Sequence, residues 1–175
     1  MIVAGFYQGD RWPIPRVVLG ELHDTIVEYV VNADQCSEAL IKHADARFDN
    51  VIFAPCHGFR LHETSPYMVR WVNDEVKERS DDSDAASLVT QVVDTHTLAN
   101  RVVFLCCALG EPGGLEYIAE NSRVDYVRLT GYKGYKVSDA ESYKLYVERG
   151  CPINTRHAKN CKCCHATKRS LYWKR

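Results

Sequence analysis

The chain has 175 residues, of which 46% are apolar and 26% charged, as is typical of one soluble domain with a short appendage. A chain of this length buries enough apolar surface to fold without disulfide bonds, so its eight cysteines are expected to be reduced. No run approaches the roughly 20 apolar residues that span a bilayer, and no signal peptide is recognisable. The sequence therefore predicts a cytoplasmic protein with no membrane partner.

Short apolar runs alternate with longer amphipathic segments in the first half of the chain. Residues 2–6 predict a strand that ends at a turn-forming stretch with two prolines. Apolar side chains recur at helical spacing in residues 17–31 and 36–46, which predicts two helices. Residues 51–56 are apolar without interruption, as in a strand that is covered on both faces. A further helix is predicted at 67–76.

The second half repeats this alternation after an acidic stretch at residues 78–84, which we expect to be exposed. Residues 85–100 predict a long helix, and 101–106 predict a second fully buried strand. The remaining elements are a helix at 113–119, a strand at 124–129 and a last helix at 139–147. Strands that alternate with helices indicate an α/β domain with a mostly parallel sheet, flanked by helices on both faces. Functional residues of such sheets gather at the carboxyl ends of the strands.

Two of the apolar strands run into residues with reactive side chains. The strand at 51–56 is followed by His57 and Gly58, and the strand at 101–106 is followed by Cys107. If these strands are parallel neighbours, their carboxyl ends bring the histidine and a cysteine to one rim of the sheet. An imidazole beside a thiol lowers the pKa of the thiol and produces the reactive thiolate. The backbone N–H groups of Gly58 and Cys107 are then candidates for an oxyanion hole.

These two strand ends also carry a resemblance to a known family. A hydrophobic strand that ends in His57-Gly58, followed about 50 residues later by one that ends in Cys-x-x-Gly, resembles the caspase-like cysteine proteases. Within that superfamily the chain is most similar to the CHAT subgroup. The segments that carry the likeness are 51–59, 102–110, 127–132 and 138–143. The resemblance spans roughly residues 1–150 and implies a caspase-like domain over that range.

The resemblance implies a cysteine endopeptidase in which His57 accepts the proton of Cys107 and the thiolate attacks a peptide carbonyl. The resemblance also implies a protein or peptide substrate and a possible regulatory partner protein. The implied reaction requires no metal or organic cofactor. The Cys-x-x-Gly spacing selects Cys107 over Cys106, which still belongs to the strand. Asp125 and Asp139 are candidates for an acidic pocket that would favour Arg or Lys at the cleavage position. The alternative is a catalytically silent caspase-like scaffold that acts as an adaptor.

Residues 151–175 form a chemically distinct, basic tail. From residue 154 onward there are seven Lys or Arg and no acidic residue, which leaves 15 basic against 23 acidic residues, or about −8, for the rest of the chain. The tail also concentrates six potential metal ligands: Cys151, His157, Cys161, Cys163, Cys164 and His165. Four such ligands suffice for a structural zinc site, but their spacing fits no recognised zinc finger. A zinc hairpin, a disordered tail with reduced cysteines and a redox or regulatory segment therefore all stay open.

The basic tail leaves three interpretations open. Its Lys and Arg residues would replace counterions along a nucleic acid, where Tyr172 and Trp173 are candidates for stacking on bases. A solvated end or a contact to an acidic partner protein is the favoured interpretation over nucleic acid. The tail is also able to fold back on the acidic body and regulate access to His57 and Cys107.

Overall fold

The computed structural model describes residues 1–5, 26–30, 32–53, 57–71, 82–97, 99, 101–104, 109–132 and 168–175. Twelve elements of secondary structure lie within these ranges. The strands are β1 (Ile2–Gly5), β2 (Val27–Val30), β3 (Asn50–Phe53), β4 (His57–Phe59), β5 (Met68–Arg70), β6 (Asp82–Asp84), β7 (Arg101–Phe104), β8 (Tyr126–Tyr132) and β9 (Lys168–Lys174). The helices are α1 (Ala33–Lys42), α2 (Ala85–Thr95) and α3 (Gly114–Asn121). The predicted α/β class is confirmed.

Six of the strands form one sheet in the order β2-β1-β3-β7-β8-β9. The first five are parallel to their neighbours, and β9 runs antiparallel to β8 at the edge. The prediction of a mostly parallel sheet is therefore confirmed. Strands β4, β5 and β6 form a second, antiparallel sheet of three short strands. This second sheet lies between β3 and β7 in chain order, although β3 and β7 are direct neighbours in the larger sheet.

Side chains of the central strands alternate between the two faces of the larger sheet. Val51 and Phe53 of β3 share one face with Val102 and Phe104 of β7, and all four are fully buried. The three described helices bury their apolar residues in one core with this face. The helix predicted at 139–147 lies outside the described residues, so a helix layer on the second face stays a prediction.

Side-chain caps explain where α1 and α2 begin. The side chain of Asn32 accepts a hydrogen bond of 2.9 Å from the backbone N–H of Gln35. Asp84 accepts from the backbone N–H groups of Ala86 and Ser87, at 2.7 and 3.1 Å. These bonds satisfy first-turn N–H groups that have no acceptor within the helix. Both helices were predicted from the sequence.

None of the helices in the described part of the chain is long and apolar enough to cross a membrane.

Two helix predictions are wrong where the structure describes them. The end of the helix predicted at 17–31 is strand β2, whose Val-Glu-Tyr-Val sequence is rich in β-branched and aromatic residues and pairs with β1. The start of the helix predicted at 67–76 is strand β5. Val69 and Trp71 are fully buried there, whereas the residues beside Val69 are half-buried. This alternation has the period of a strand, but it is too short to stand out from a helical pattern.

The acidic stretch predicted to be exposed at 78–84 ends in strand β6. Asp82 is exposed, but Ser83 is buried, so the prediction is wrong for that residue. The indole N–H of Trp71 donates to the hydroxyl of Ser83, with 3.0 Å between nitrogen and oxygen. This bond allows both polar groups to be buried, because each has a partner.

The end of the predicted basic tail belongs to the sheet. Strand β9 pairs with β8 over all seven of its residues. Leu171 and Trp173 pack against the core, whereas Ser170 and Tyr172 are exposed. The composition suggested a solvated end, because the flanking Lys and Arg outnumber these two inward side chains. Leu171 and Trp173 nevertheless alternate with exposed residues, which is the period of a half-buried strand. Residues 151–167 of the predicted tail lie outside the described residues.

His96 is a buried titratable residue just after α2. It is 3% exposed, its ring contacts the ring of Phe48 edge-on at 5.2 Å, and its Nε2 donates to the carbonyl of Leu40 at 3.0 Å. Burial lowers the pKa of His96, because an imidazolium loses its hydration there, and the bond to Leu40 opposes this only in part. Folded His96 therefore binds a proton more weakly than the same histidine does in the unfolded chain.

We expect the free energy of unfolding to fall as the pH drops below about 6.5, the pKa of an ordinary histidine. Below that pH the unfolded chain takes up a proton that folded His96 resists, so acid favours unfolding. Above it, the stability contributed by neutral His96 is fully present. Urea unfolding at a series of pH values measures this. His96→Gln is expected to flatten that part of the profile and exposed His62→Gln to leave it unchanged, and an unaltered profile in His96→Gln would contradict the assignment.

Candidate active site

Strands β3 and β7 are parallel neighbours in the centre of the larger sheet. They pair in register up to their last residues, Phe53 and Phe104, whose rings stack with centroids 5.4 Å apart. The parallel pairing that the predicted dyad requires is therefore confirmed. His57 follows Phe53 by four residues, and Cys107 follows Phe104 by three. Cys106 and Cys107 themselves lie outside the described residues, so the choice between them stays a prediction.

The His-Gly pair begins the second sheet just beyond the end of β3. In β4, His57 lies opposite Arg70 and Gly58 opposite Val69 in the antiparallel pairing with β5. Arg70 lies in turn opposite Asp82 of β6. The backbone of the predicted base is thus part of a paired strand, and Gly58 is buried. The sequence indicated a histidine after a strand but not this second sheet, because strands of three residues show no measurable period.

An ion pair joins β5 and β6 in the same cross-strand row as the backbone of His57. Arg70 donates from Nε to Oδ1 of Asp82 at 2.7 Å and from Nη2 to Oδ2 at 3.0 Å. Its guanidinium also lies 4.6 Å from the ring centre of Phe59. The hydrogen bonds to Asp82 raise the pKa of Arg70. The two-pronged geometry holds the register of the small sheet, although partial exposure limits its contribution to stability.

The turn before α3 is packed tightly at two glycines. A Cβ atom on Gly114 would lie 2.7 Å from the carbonyl oxygen of Leu109 and 3.2 Å from the ring of Tyr67. A Cβ atom on Gly131 would lie 3.0 Å from the backbone nitrogen of Gly110. Because backbone atoms cannot yield as a flexible side chain does, glycine at both positions lets the turn lie against Tyr67 and β8.

Arg60 links the loop after β4 to helix α3. Its guanidinium lies 4.8 Å from the ring centre of Tyr67 and 5.6 Å from that of Tyr117 in α3. Its Nε donates to the carbonyl of Ser65 at 2.8 Å. Strands β3 and β7, which precede His57 and Cys107 in the chain, are neighbours in the sheet. The loop after β4 and helix α3, which follow these two residues, are in contact through Arg60. Sequence patterns did not single out these three side chains, because no motif marks contacts between residues so far apart in the chain.

Asp125 does not lie near the rim where the dyad is predicted. It precedes β8 and so lies at the amino-terminal edge of the sheet, where its carbonyl accepts a 2.8 Å hydrogen bond from the backbone N–H of Arg175. A strand of seven residues separates this edge from the rim by roughly 20 Å. The prediction of Asp125 as a specificity-pocket residue is therefore wrong. Asp139, the other candidate, lies outside the described residues.

The predicted zinc ligands also lie outside the described residues, all within 151–165. Among the residues that the structure does describe, no group of three or more His, Cys, Asp or Glu side chains is placed to hold a metal ion. That statement does not extend to the tail. The zinc hairpin therefore stays a prediction beside its alternatives.

No protein-family model matches the chain, and no curated protein is significantly similar to it. Its function is therefore inferred from its residues and their geometry.

Proposed function

We propose that the protein is a cysteine endopeptidase of the caspase-like type, with Cys107 as nucleophile and His57 as general base. The observation that supports this most is the in-register, parallel pairing of β3 and β7, which directs both segments toward one rim. Adjacent strands lie about 4.8 Å apart, and each residue extends the chain by at most about 3.5 Å. These limits allow a cysteine three residues beyond Phe104 and a histidine four residues beyond Phe53 to come within the distance that proton exchange requires.

In the proposed reaction His57 takes the thiol proton of Cys107, and the thiolate sulfur attacks the carbonyl carbon of a peptide bond. The backbone N–H groups of Gly58 and Cys107 donate to the resulting oxyanion. When the tetrahedral intermediate collapses, the C–N bond breaks and the imidazolium gives its proton to the leaving amine. Water, deprotonated by His57, then hydrolyses the thioester and restores the thiol. This sequence balances without a metal or organic cofactor.

The second sheet supports the role of His57 as the base. A general base is effective only when it is held in position. A displacement of its side chain by about 1 Å is enough to reduce the rate of the reaction steeply. Pairing with β5 fixes the backbone at His57, and the Arg70–Asp82 ion pair braces β5 against β6. The histidine backbone is thus supported by three paired strands rather than by a free loop.

Labelling with peptidyl electrophiles tests this proposal. The protein is incubated with a panel of peptidyl acyloxymethyl ketones that differ at the cleavage position, and the adduct is located by mass spectrometry. We expect an adduct on Cys107 that is absent from Cys107→Ala and His57→Ala. Cys106→Ala is the matched control and is expected to be labelled like the wild type. A wild type that forms no Cys107 adduct with any member of the panel would contradict the proposal.

A second candidate function, binding without catalysis, is supported by a cationic and aromatic surface on β8 and β9. The guanidinium of Arg128 lies 4.5 Å from the ring centre of Tyr172 and donates to its hydroxyl, a bond that lowers the pKa of Tyr172. Tyr172 is 62% exposed and Tyr126 is 49% exposed. Lys174 lies opposite Tyr126 in register. Exposed rings beside Lys and Arg suit a single-stranded nucleic acid, whose bases stack while its phosphates are neutralised.

For this second function we expect Tyr172→Ala to weaken binding of single-stranded RNA by about 1–3 kcal/mol, because one stacking platform is lost. Affinity is also expected to fall steeply with salt, since phosphate contacts release counterions. Fluorescence anisotropy with a labelled oligouridine measures both effects. Ser170→Ala, another exposed position of β9, serves as control. Absence of binding, or a Kd that is the same in Tyr172→Ala, would exclude this surface as a nucleic-acid site.

A further inference from the structure

Arg169 of β9 binds both helix α3 and the turn that leads into it. Its Nη1 donates to Oε2 of Glu116 at 2.8 Å, and its Nη2 donates to the other carboxylate oxygen. The same Nη1 donates to the carbonyl of Glu111 at 3.1 Å. The Arg169 side chain is 26% exposed. A two-pronged pair of this kind fixes the geometry of both partners, because the guanidinium plane matches the carboxylate plane.

The same turn is also held by backbone contact with β8. Arg169 lies opposite Gly131 in the register of β8 and β9. Gly131 leaves room for the backbone of Leu109 and Gly110 to lie directly against the strand. The turn is therefore held at its beginning by close backbone packing, and at Glu111 and beyond by the guanidinium.

This turn begins two residues after the candidate nucleophile. Cys107 precedes Leu109 by two residues, so the backbone that Gly131 and Arg169 hold begins two residues beyond the candidate nucleophile. A misplacement of about 1 Å in a reacting group can cost on the order of 100-fold in rate. The contact comes from a distant part of the chain, since Arg169 and Glu116 are 53 positions apart.

We propose that Arg169 is a positioning residue of the peptidase, which holds the turn after Cys107 so that the thiol faces His57. This assignment rests on the proposed function, because it needs Cys107 as the nucleophile. Strand β9 stays in place without the guanidinium, since Leu171 and Trp173 pack against the core independently. Loss of the guanidinium therefore loosens the turn and leaves the sheet intact.

The rate at which a peptidyl acyloxymethyl ketone labels Cys107 tests this role. Arg169→Ala is expected to lower the rate constant by about 10–100-fold, and Glu116→Gln to have a similar effect, because each removes half of the pair. Arg169→Lys keeps the charge but not the fork, and is expected to restore part of the rate. Arg175→Ala is the matched control, since Arg175 also contacts α3 but at its far end, through the carbonyl of Ser122 at 3.1 Å.

Hydrogen–deuterium exchange gives a readout that does not depend on reactivity. Arg169→Ala is expected to raise exchange in residues 109–116 while exchange in β9 stays as in the wild type. If Arg169→Ala is labelled as fast as Arg175→Ala, the positioning role is overturned and the peptidase proposal stands. If the wild type is not labelled at all, the peptidase proposal fails. In that case hydrogen–deuterium exchange still tests whether Arg169 holds the turn. Raised exchange in residues 109–116 of Arg169→Ala supports this claim, and unchanged exchange overturns it.

Discussion

Replacing His57 with alanine is expected to lower kcat/KM for peptide hydrolysis by roughly 10²–10⁴-fold, and replacing Cys107 with alanine to abolish hydrolysis. The first variant loses the base that removes the thiol proton, and the second loses the atom that attacks the carbonyl. Because His57 pairs with β5 through its backbone, alanine at this position leaves the pairing possible. Hydrolysis of a fluorogenic peptide library, with each variant checked for folding by circular dichroism, measures both effects.

Two neighbouring residues provide matched controls for these variants. His62 is an exposed histidine in the loop after β4, and Cys106 precedes the proposed nucleophile by one residue. We expect His62→Ala and Cys106→Ala to retain the wild-type rate. Activity that survives Cys107→Ala and disappears in Cys106→Ala would move the nucleophile by one position. Full activity in His57→Ala would remove the histidine from the mechanism.

Phe104→Ala is expected to lower the free energy of unfolding by about 3–5 kcal/mol. The ring is fully buried at the end of β7 and stacks on Phe53, with centroids 5.4 Å apart. Phe53 in turn contacts Trp71 edge-on at 5.9 Å, so all three rings belong to one packed cluster. Removing one ring leaves a cavity that close-packed neighbours fill only in part. Urea unfolding followed by circular dichroism measures the loss.

The matched control for this variant is Leu61→Ala, at a side chain that is 68% exposed, and its expected effect is within about 0.5 kcal/mol. A double-mutant cycle of Phe53→Ala with Phe104→Ala isolates the stacking contact, for which we expect a coupling of about 0.5–1.5 kcal/mol. Since the two rings stack only if β3 and β7 pair in register, zero coupling would contradict the strand pairing on which the candidate site depends.

The central strands and the longer helices could be predicted because their patterns are local. Residues 51–53 of β3 and 102–104 of β7 lie within apolar runs, as expected for strands buried on both faces. Helices α1 and α2 show the helical period, and the structure adds the caps at their amino termini, Asn32 and Asp84. The order of the strands could not be derived in the same way, because β3 and β7 pair across about 50 residues of intervening chain.

The short strands were missed for a physical reason. Strands β2, β5 and β6 have three or four residues each, too few for a period of two to be distinguished from helical spacing. Such strands form because a neighbour supplies hydrogen-bond partners and a surface to pack on. Strand β9 was missed because its inward side chains, Leu171 and Trp173, stand among Lys and Arg that dominate its composition.

In the candidate site, too, the residues that follow a local sequence pattern could be predicted, and the contacts between distant residues could not. His57 and Gly58 could be named as candidates because they directly follow a predicted apolar strand, and strand ends are where α/β sheets concentrate function. The contacts of Arg60 and Arg169 could not be predicted, because their partners lie elsewhere in the chain. The guanidinium of Arg60 contacts Tyr117, and that of Arg169 binds Glu116, 53 positions away. No local motif encodes such contacts.

The pH dependence of Cys107 alkylation tests the dyad most directly. Iodoacetamide reacts with the thiolate, and a free cysteine has a pKa of about 8.5. Pairing with His57 predicts that the wild type reaches half of its maximal alkylation rate at Cys107 well below that pH. It also predicts that His57→Ala shifts this midpoint up to the value of a free cysteine. The same midpoint in both proteins would contradict a dyad of His57 and Cys107.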